Sequence, residues 1–400
     1  MREKCFKALY VHVPFCVRKC AYCDFASSAT RRGDPLMARY VNALVSEIDA
    51  FASVGLLGDT LDTAYVGGGT PTLLGAHDLS RLISRIPQAR ELTFEANPDS
   101  LSDQVIGAAV ESGATRVSCG VQSLSDKELV SLGRIHTADV ARDRVRAAVA
   151  SSLDVSVDLM CAIPEQSDES FASSVAEVVS WGVDHVSVYP LAIEEGTELY
   201  RRYEHEDTPF NDEDVEAARM EIAERVLSAA GYARYEVASY AKPHKRCSHN
   251  ISYWTGVPYL GLGTAASSMM GADQYDLMRE LCPQMPKAPT GTSRVRLTIT
   301  SSPHQIVSDA RPSSLTFDLE YLTEQQAWAE DLMLAMRLTD GISRSRFERC
   351  EDTLEDLLGR GLVEEVGDTI RPTHQGWLLG NELYGPIWDL AEGQVLEASC

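Results

Sequence analysis

Residues 9–25, LYVHVPFCVRKCAYCDF, join an apolar run to three closely spaced cysteines. The first part of this stretch belongs to ALYVHV (8–13), whose β-branched and aliphatic side chains are typical of a strand that is covered on both faces. Five similar runs follow it along the chain. They are TAYVGG (63–68), ELTFEA (91–96), RVSCGV (116–121), DVSVDLM (154–160) and HVSVYP (185–190).

Amphipathic stretches lie between these runs and place apolar residues at helical spacing. Strands that alternate with helices predict βα units, a parallel sheet and right-handed crossovers. The pattern fits both an open doubly wound sheet and a barrel, and in both architectures the active site lies at the carboxyl ends of the strands. The helices are expected at 37–51, 103–110, 138–150 and 170–181.

The regular pattern ends after a further helix that is expected at 212–230. Residues 271–314 are rich in Pro, Ser, Thr and Gly and have no helical period, which predicts a connector with at most a few strands. Beyond it, helical patterns precede the pair LVEEVGDTIRPT (362–373), whose Gly-Asp turn predicts a hairpin. Helices followed by a hairpin indicate a small winged-helix-like α+β domain. The helical patterns cover 323–336, 344–347 and 352–360.

The composition excludes some classes of function. The chain has 400 residues, 44% of them hydrophobic, and a formal net charge of -23, which opposes non-specific binding to nucleic acid. We expect no membrane span and, because the amino terminus lacks the pattern of a signal peptide, a cytoplasmic location. Ten cysteines could form disulfides, but in a reducing compartment clustered thiols favour metal ligation.

The clustered cysteines are Cys16, Cys20 and Cys23, in a C-x3-C-x2-C spacing directly after the first predicted strand. Three thiolates on one loop can hold a [4Fe-4S] cluster and leave one of its four irons free to bind a substrate or cosubstrate. A structural zinc site completed by His12 or Asp24 is the alternative, as are three simple buried thiols.

Polar and glycine residues stand at the ends of later strands. Gly67 begins the run GGGTP, which either lets a ligand approach the backbone or forms a plain tight turn. Asp158 could accept from ribose hydroxyls, and Arg134 could pair with a carboxylate. Glu95 and Gln122 follow two other strands. Each residue alone is typical of a surface or capping position, whereas the series favours a binding site.

The cysteine spacing and its place after the first strand resemble the radical S-adenosylmethionine (SAM) superfamily. That resemblance implies a (βα)6 partial TIM barrel in which the open iron binds SAM and an electron from the cluster cleaves it to a 5′-deoxyadenosyl radical. The segments VGGGTPTLL, FEANPDSL, GVQSLSDKEL, SVDLMCAIP and SVYPLAIEEGTELY further resemble the oxygen-independent coproporphyrinogen oxidase-like family. This likeness implies SAM contacts at Tyr10, Gly68, Gly69, Thr70, Glu95, Gln122, Arg134 and Asp158.

Two absences favour the heme-chaperone (HemW-like) branch of that family over its dehydrogenases. The chain has neither a long arm before the cluster nor a further cysteine two residues after Cys23. The segment His249-Asn250-Ile251-Ser252-Tyr253-Trp254 also resembles the heme-binding motif H-N-x-x-Y-W of the chaperones. Under this resemblance His249 is the axial heme ligand, and Tyr253 and Trp254 offer flat surfaces to the porphyrin. A capping or core histidine beside packed aromatic rings is the alternative.

The chain departs from the family at residues 263–268, where an expected histidine is missing from GTAASS. The resemblance implies three cofactors, namely the [4Fe-4S] cluster, SAM and heme. It also implies acceptor apo-proteins such as respiratory enzymes and a low-potential electron donor such as flavodoxin or ferredoxin. The expected domains are a radical SAM core at 1–235, a heme-motif segment and connector at 236–320, and a C-terminal HemN-like domain at 321–400.

Two other functions stay open at this point. The first is an oxygen-independent coproporphyrinogen III oxidase or another radical SAM enzyme that modifies a tetrapyrrole. The second is a regulatory module whose winged-helix-like domain binds nucleic acid, which the acidic balance disfavours. No catalytic residue beyond the cofactor ligands is predicted.

Overall fold

The computed structural model describes residues 5–204, 212–391 and 396. The strands are β1 (Ala8–Val13), β2 (Phe15–Cys16), β3 (Ser28–Ala29), β4 (Thr60–Gly68), β5 (Gln88–Ala96), β6 (Arg116–Gln122), β7 (Asp154–Cys161), β8 (His185–Pro190), β9 (Ala233–Arg234), β10 (Ser239–Ala241), β11 (Tyr259–Leu262), β12 (Ser267–Gly271), β13 (Arg294–Ile299), β14 (Phe317–Leu322), β15 (Ile342–Ser343), β16 (Val363–Val366) and β17 (Thr369–Pro372).

The α-helices alternate with these strands. They are α1 (Pro35–Ser53), α2 (Gly75–Arg85), α3 (Asp103–Glu111), α4 (Asp126–Ser131), α5 (Ala138–Val149), α6 (Asp168–Ser180), α7 (Glu198–Tyr203), α8 (Glu213–Ala229), α9 (Ser248–Trp254), α10 (Ala272–Leu281), α11 (Pro303–Ser308), α12 (Glu324–Ala335), α13 (Glu351–Gly359), α14 (His374–Leu378) and α15 (Gly380–Trp388). Short 3-10 helices lie at Pro71–Leu74, Pro98–Ser100, Pro312–Ser314, Arg344–Phe347 and Asp389–Ala391.

All six predicted strands are confirmed, as β1, β4, β5, β6, β7 and β8. They lie side by side in that order, and each pairs in parallel with the next. Their aliphatic side chains are almost completely buried, because the sheet packs against helices on one face and encloses a cavity on the other. The sheet does not close on itself within the described residues, so the core is a partial barrel.

The predicted helices between the strands are also confirmed, and side-chain caps mark where they begin. Asp34 accepts the backbone N–H of Leu36 at 2.9 Å, and Pro35 occupies the first turn of α1. Thr137 caps α5 and Ser167 caps α6 in the same way. Each helix buries an apolar face against the sheet, which fixes the carboxyl ends of the strands as one common edge.

The connector prediction for residues 271–314 is wrong in part. Here α10 and α11 form, and β12, β13 and β14 extend the main sheet as an antiparallel ribbon beside β11. Tyr275 and Met278 of α10 lie on one buried face of this helix, and Met285 is buried just beyond its end. The polar composition concealed this face because only a few apolar residues carry it.

The C-terminal region has the predicted helices and hairpin around a separate apolar core. β16 and β17 pair antiparallel across a turn in which Gly367 has a φ of 65°, a left-handed conformation that favours glycine. β15 adds a third short strand beside β17, which gives the winged-helix-like arrangement. The precise domain limits stay a prediction, since β14, which crosses the expected boundary at residue 320, belongs to the main sheet.

Candidate functional site

The cysteine loop leaves the carboxyl end of β1 and is closed at its base by the short parallel pair of β2 and β3. The backbone N–H of Thr30 donates to the Cys16 carbonyl at 2.7 Å, which ties the end of the loop to its beginning. Cys16, Cys20 and Cys23 are free thiols of intermediate exposure. The loop therefore presents three thiols at the mouth of the partial barrel.

Polar groups approach two of these thiols. The Thr70 hydroxyl donates to Cys16 Sγ at 3.5 Å, and Arg134 Nη1 donates to Cys20 Sγ at 3.4 Å. Burial raises the pKa of Cys16 and of Cys23, while hydrogen bonds and the Arg134 charge oppose that rise at Cys16. A fixed cation and hydroxyl beside the sulfurs stabilise the thiolate form that metal ligation requires.

A single-ion site is not formed here. In the described part of the chain, no three His, Cys, Asp or Glu side chains are close enough to share one metal ion. Both nitrogens of His12 are engaged, one with the Tyr10 hydroxyl and the other with the Ala26 carbonyl, each at 2.9 Å. These contacts disfavour a zinc site that is completed by His12. Three free thiols on one loop fit a four-iron cluster, in which each thiolate binds a different iron.

A hydrogen-bonded chain links the glycine-rich run to the cysteine loop. Asn97 Nδ2 donates to Thr70 Oγ1 at 2.8 Å, and Arg134 Nη2 donates to Asn97 Oδ1 at 2.7 Å. Arg134 Nη2 also donates to the Gly120 carbonyl at 2.6 Å. Thr70 and Arg134 therefore lie beside the thiols as one network. Asn97 is not among the residues predicted from the sequence, although it belongs to the segment FEANPDSL.

The glycines of the GGGTP run permit close packing under the cysteine loop. Gly68 has a φ of 108°, and a Cβ added there would lie 2.3 Å from the His12 ring. A Cβ on Gly69 would lie 2.8 Å from the Phe15 backbone. Larger residues at these positions would push the loop away from the sheet. The position of the cysteine loop therefore requires glycine at residues 68 and 69, independently of any ligand that these glycines contact.

Two half-buried carboxylates lie at the neighbouring strand ends. Glu95 accepts from the Gly68 N–H at 2.8 Å and from the Tyr65 hydroxyl at 2.9 Å, and burial raises its pKa to about 7. Asp158 accepts from the Ser118 hydroxyl at 3.1 Å, and burial raises its pKa to about 6. Both groups titrate near neutral pH and can become anionic when a cation binds next to them.

These acids line a cavity of about 330 Å³ inside the partial barrel. Cys23 lies on its wall, and so does Gln122, whose φ of 68° accompanies an irregularity in the pairing of β6 with β7. Thr70 and Arg134 line a smaller cavity beside Cys20. Tyr10, Gly68 and Gly69 line neither cavity. The structure thus brings together most of the predicted SAM residues, and their contacts with SAM stay a prediction.

The predicted heme residues lie on α9, but they do not share one open surface. His249 is buried, with Nδ1 hydrogen-bonded to Thr63 Oγ1 and Nε2 to the Tyr253 hydroxyl, each at 2.9 Å. Burial lowers the pKa of His249 to about 3. Trp254 stacks under the guanidinium of Arg337, at 4.5 Å from the ring centroid. In this conformation His249 is a core histidine, and heme ligation by it stays a prediction.

The loop at residues 263–268, which lacks the expected histidine, packs against α1. The N–H of Thr264 donates to the Tyr40 hydroxyl at 2.8 Å, and the N–H of Gly263 donates to Glu47 at 3.2 Å. Glu47 is completely buried, its other carboxylate oxygen has no hydrogen-bond partner among the residues that the structure describes, and burial raises its pKa to about 8. This loop is held by α1 and by contacts that need no histidine.

Comparison with known proteins agrees with this geometry. The sequence model of the Radical SAM superfamily matches residues 10–178, and that of the HemN C-terminal domain matches residues 322–379. The solved structure of coproporphyrinogen III oxidase (HemN) from Escherichia coli, described as a radical SAM enzyme, superposes with a TM-score of 0.76. That match covers 98% of this chain and 91% of the other at 21% identity, which shows the shared fold.

Curated relatives extend the likeness to the whole chain. The protein named heme chaperone HemW from Mycobacterium tuberculosis is 33% identical over 383 residues, 93% of this chain and 92% of the relative. Its namesake from Bacillus subtilis is 31% identical over 95% of this chain and 98% of the relative. No helix among the described residues is long and apolar enough to cross a membrane. The chain belongs to the HemW family of the radical SAM superfamily, a family that implies a [4Fe-4S] cluster and SAM.

Proposed function

We propose that this chain is a heme chaperone, which binds heme and transfers it to acceptor apo-proteins. The observation that carries the proposal is the full-length likeness to HemW proteins, combined with the motif His249-Asn250-Ile251-Ser252-Tyr253-Trp254 on one short helix. Acceptors such as respiratory enzymes and a location in the cytoplasm are parts of the same proposal.

The environment of His249 supports its role as a ligand that is covered in the absence of heme. Burial keeps the imidazole neutral, and the neutral ring is the form that binds iron. When Nδ1 donates to Thr63, Nε2 accepts from the Tyr253 hydroxyl. In this conformation the Tyr253 hydroxyl covers this lone pair, and its displacement would expose the lone pair to an incoming iron.

The residues that would hold the other cofactors lie at the mouth of the barrel. Cys16, Cys20 and Cys23 would hold the cluster, which supplies an electron to bound SAM. Glu95 and Asp158 would face the positively charged groups of SAM in the cavity. The remaining predicted contacts, at Tyr10, Gly68, Gly69, Thr70, Gln122 and Arg134, lie on the same face or next to the cysteine loop.

The electron donor is proposed to be an acidic flavodoxin or ferredoxin that docks on the cysteine loop. Arg18 and Lys19 are exposed there, between the first two ligand cysteines, although the chain has a net charge of -23. A local basic patch attracts an acidic partner most strongly at low salt. Unchanged donor binding by an Arg18→Glu variant at low salt would contradict this docking site.

Heme binding is tested by anaerobic titration with heme followed at the Soret band. Wild type is expected to saturate at one heme per chain, and His249→Ala to lose that binding. His304→Ala, which removes an exposed histidine, is the matched control and should bind like wild type. Tyr253→Phe keeps the ring but frees Nε2, so it should bind heme at least as tightly as wild type.

One result would contradict the chaperone proposal, and another would contradict the assignment of His249 as the ligand. Failure of wild type to bind heme would leave the alternative enzyme, which an assay for oxidised porphyrinogen product with SAM and a reductant detects. Loss of binding in Tyr253→Phe together with retention in His249→Ala would instead identify the tyrosine as the ligand.

A further inference from the structure

A further cavity, of about 220 Å³, lies between the partial barrel and the C-terminal domain. Its charged lining consists of Arg234, Arg337 and Arg371 with a single acid, Glu364, and with His374 beside them. A cavity with a surplus of arginine is unexpected in a chain whose net charge is -23. Whether this excess of positive charge persists depends on which of these arginines are neutralised by neighbouring acids.

Two of the three arginines have counter-ions of their own. Arg234 Nε lies 3.1 Å from Glu224 Oε2, and Arg371 Nε lies 2.7 Å from Glu364 Oε1. In the part of the chain that the structure describes, no side-chain hydrogen bond or ion pair is formed by the guanidinium of Arg337, and its Nε is buried without a hydrogen-bond partner. Arg337 is half-buried, and a buried donor without a partner costs free energy that an anionic ligand would offset.

Aromatic rings fix this guanidinium without satisfying its donors. The Arg337 Cζ lies 4.5 Å from the ring centroid of Trp254 and 5.3 Å from that of Tyr384. Stacking of this kind holds the planar group in place but leaves its N–H bonds directed past the ring edges. Arg234 is held in the same way, 4.0 Å from the centroid of Trp377.

We propose that this cavity binds an oxyanion, the phosphate or carboxylate group of a small molecule, with Arg337 as its principal ligand. Arg234 and Arg371 add positive charge on the cavity wall, and the planar donors of Arg337 match two oxygens of one anion. The site is separate from the cysteine loop and from the barrel cavity, but Arg337 stacks on Trp254 of the proposed heme motif, so anion binding is measured without added heme.

Titration of the full-length protein with inorganic phosphate, and separately with citrate, tests this site. Calorimetry measures binding, and tryptophan fluorescence reports it because Trp254 and Trp377 both stack on its arginines. We expect saturable binding that Arg337→Gln weakens by at least about tenfold, since a charged hydrogen-bond donor is lost. Arg311→Gln removes an exposed arginine that pairs with Asp309, and should bind like wild type.

The two titrations distinguish a phosphate ligand from a carboxylate ligand. Saturation by phosphate alone assigns the phosphate class, and saturation by citrate alone assigns the carboxylate class. Absence of saturation with both anions, an equal response to chloride, or wild-type affinity in Arg337→Gln would overturn the site. If Arg337→Gln does not fold, as judged by circular dichroism, Arg371→Gln replaces it, because that arginine is exposed. If Arg371→Gln binds the anion about threefold more weakly than wild type, the result supports the site. If its affinity for the anion is unchanged, the site is overturned.

Discussion

Single residues decide whether the cysteine loop can hold a cluster. Cys20 differs from the other ligand cysteines because a half-buried arginine, Arg134, donates directly to its sulfur. That arginine is fixed by Asn97 and by the Gly120 carbonyl, so its charge stays beside the loop. The loop thus combines soft ligands with a fixed positive charge, which partly opposes the effect of burial on the pKa of Cys16.

Removal of one thiol is expected to prevent cluster assembly. Cys20→Ala should lose the brown absorbance and most of the iron after anaerobic reconstitution, because two thiolates and no substitute remain on the loop. Cys5→Ala is the matched control, since the Cys5 thiol donates to the Gly55 carbonyl away from the loop. Full iron content in Cys20→Ala would show that the cluster is held by other residues.

Because two acids, Glu95 and Asp158, line the barrel cavity, we expect SAM binding to depend on pH. The pKa values of Glu95 and Asp158 are raised to about 7 and about 6, so both acids lose their protons as the pH rises from 5.5 to 8. SAM carries positive charges, and its affinity should therefore increase over this interval. Calorimetry under anaerobic conditions measures the affinity. In Glu95→Gln the affinity for SAM should vary less with pH. An affinity that does not vary with pH in wild type would exclude these acids from the SAM site.

At the scale of elements, the loop depends on close contact between β2 and the glycine-rich end of β4. The N–H of Gly69 donates to the Val13 carbonyl at 2.8 Å, and that of Thr70 donates to the Phe15 carbonyl at the same distance. These bonds join the glycine run to the segment that leads into the first ligand cysteine. The geometry of the cysteine loop is thus a property of two elements packed together.

A methyl group at residue 69 is expected to separate these elements. Gly69→Ala places a Cβ 2.8 Å from the Phe15 backbone, which has no flexible side chain to yield, and should destabilise the fold by about 1–3 kcal/mol. Thermal unfolding measures this loss. Gly107→Ala, in α3, meets no atom within 4 Å and should be neutral or stabilising. Equal unfolding temperatures for the two variants would show that the contact is unimportant.

At the scale of the whole molecule, the core contains an acid that is neutral at pH 7. Glu47 on α1 lies under the loop that joins β11 to β12, where burial raises its pKa to about 8. In the unfolded chain an ordinary glutamate loses its proton near pH 4.5. The folded protein therefore binds one more proton than the unfolded chain between these two values.

This difference predicts that stability decreases as the pH rises from about 4.5 to about 8, and that the contribution of Glu47 then levels off. Its upper bound is about 5 kcal/mol. Glu47→Gln keeps the shape of the side chain but cannot ionise, so urea unfolding of this variant should show a smaller decrease between pH 5 and pH 8 than wild type does. The same slope in both proteins would contradict the prediction.

The sequence by itself determined the local architecture and the identity of the cysteine loop. Runs such as 8–13 and 154–160 became strands because β-branched and aliphatic side chains bury one face against the helices, and capped amphipathic stretches became helices. The C-x3-C-x2-C spacing and the GGGTP run were recognisable because their residues are neighbours along the chain. These features depend on local chemistry, which a sequence displays directly.

Only the tertiary structure decided which distant residues meet. Arg134 reaches Cys20 across 114 positions of sequence, and His249 reaches Thr63 across 186. The same packing buries His249, adds β13 and β14 to the main sheet and leaves Arg337 between two aromatic rings without a counter-ion among the described residues. Such contacts depend on how helices and strands pack in three dimensions, and no local pattern records them.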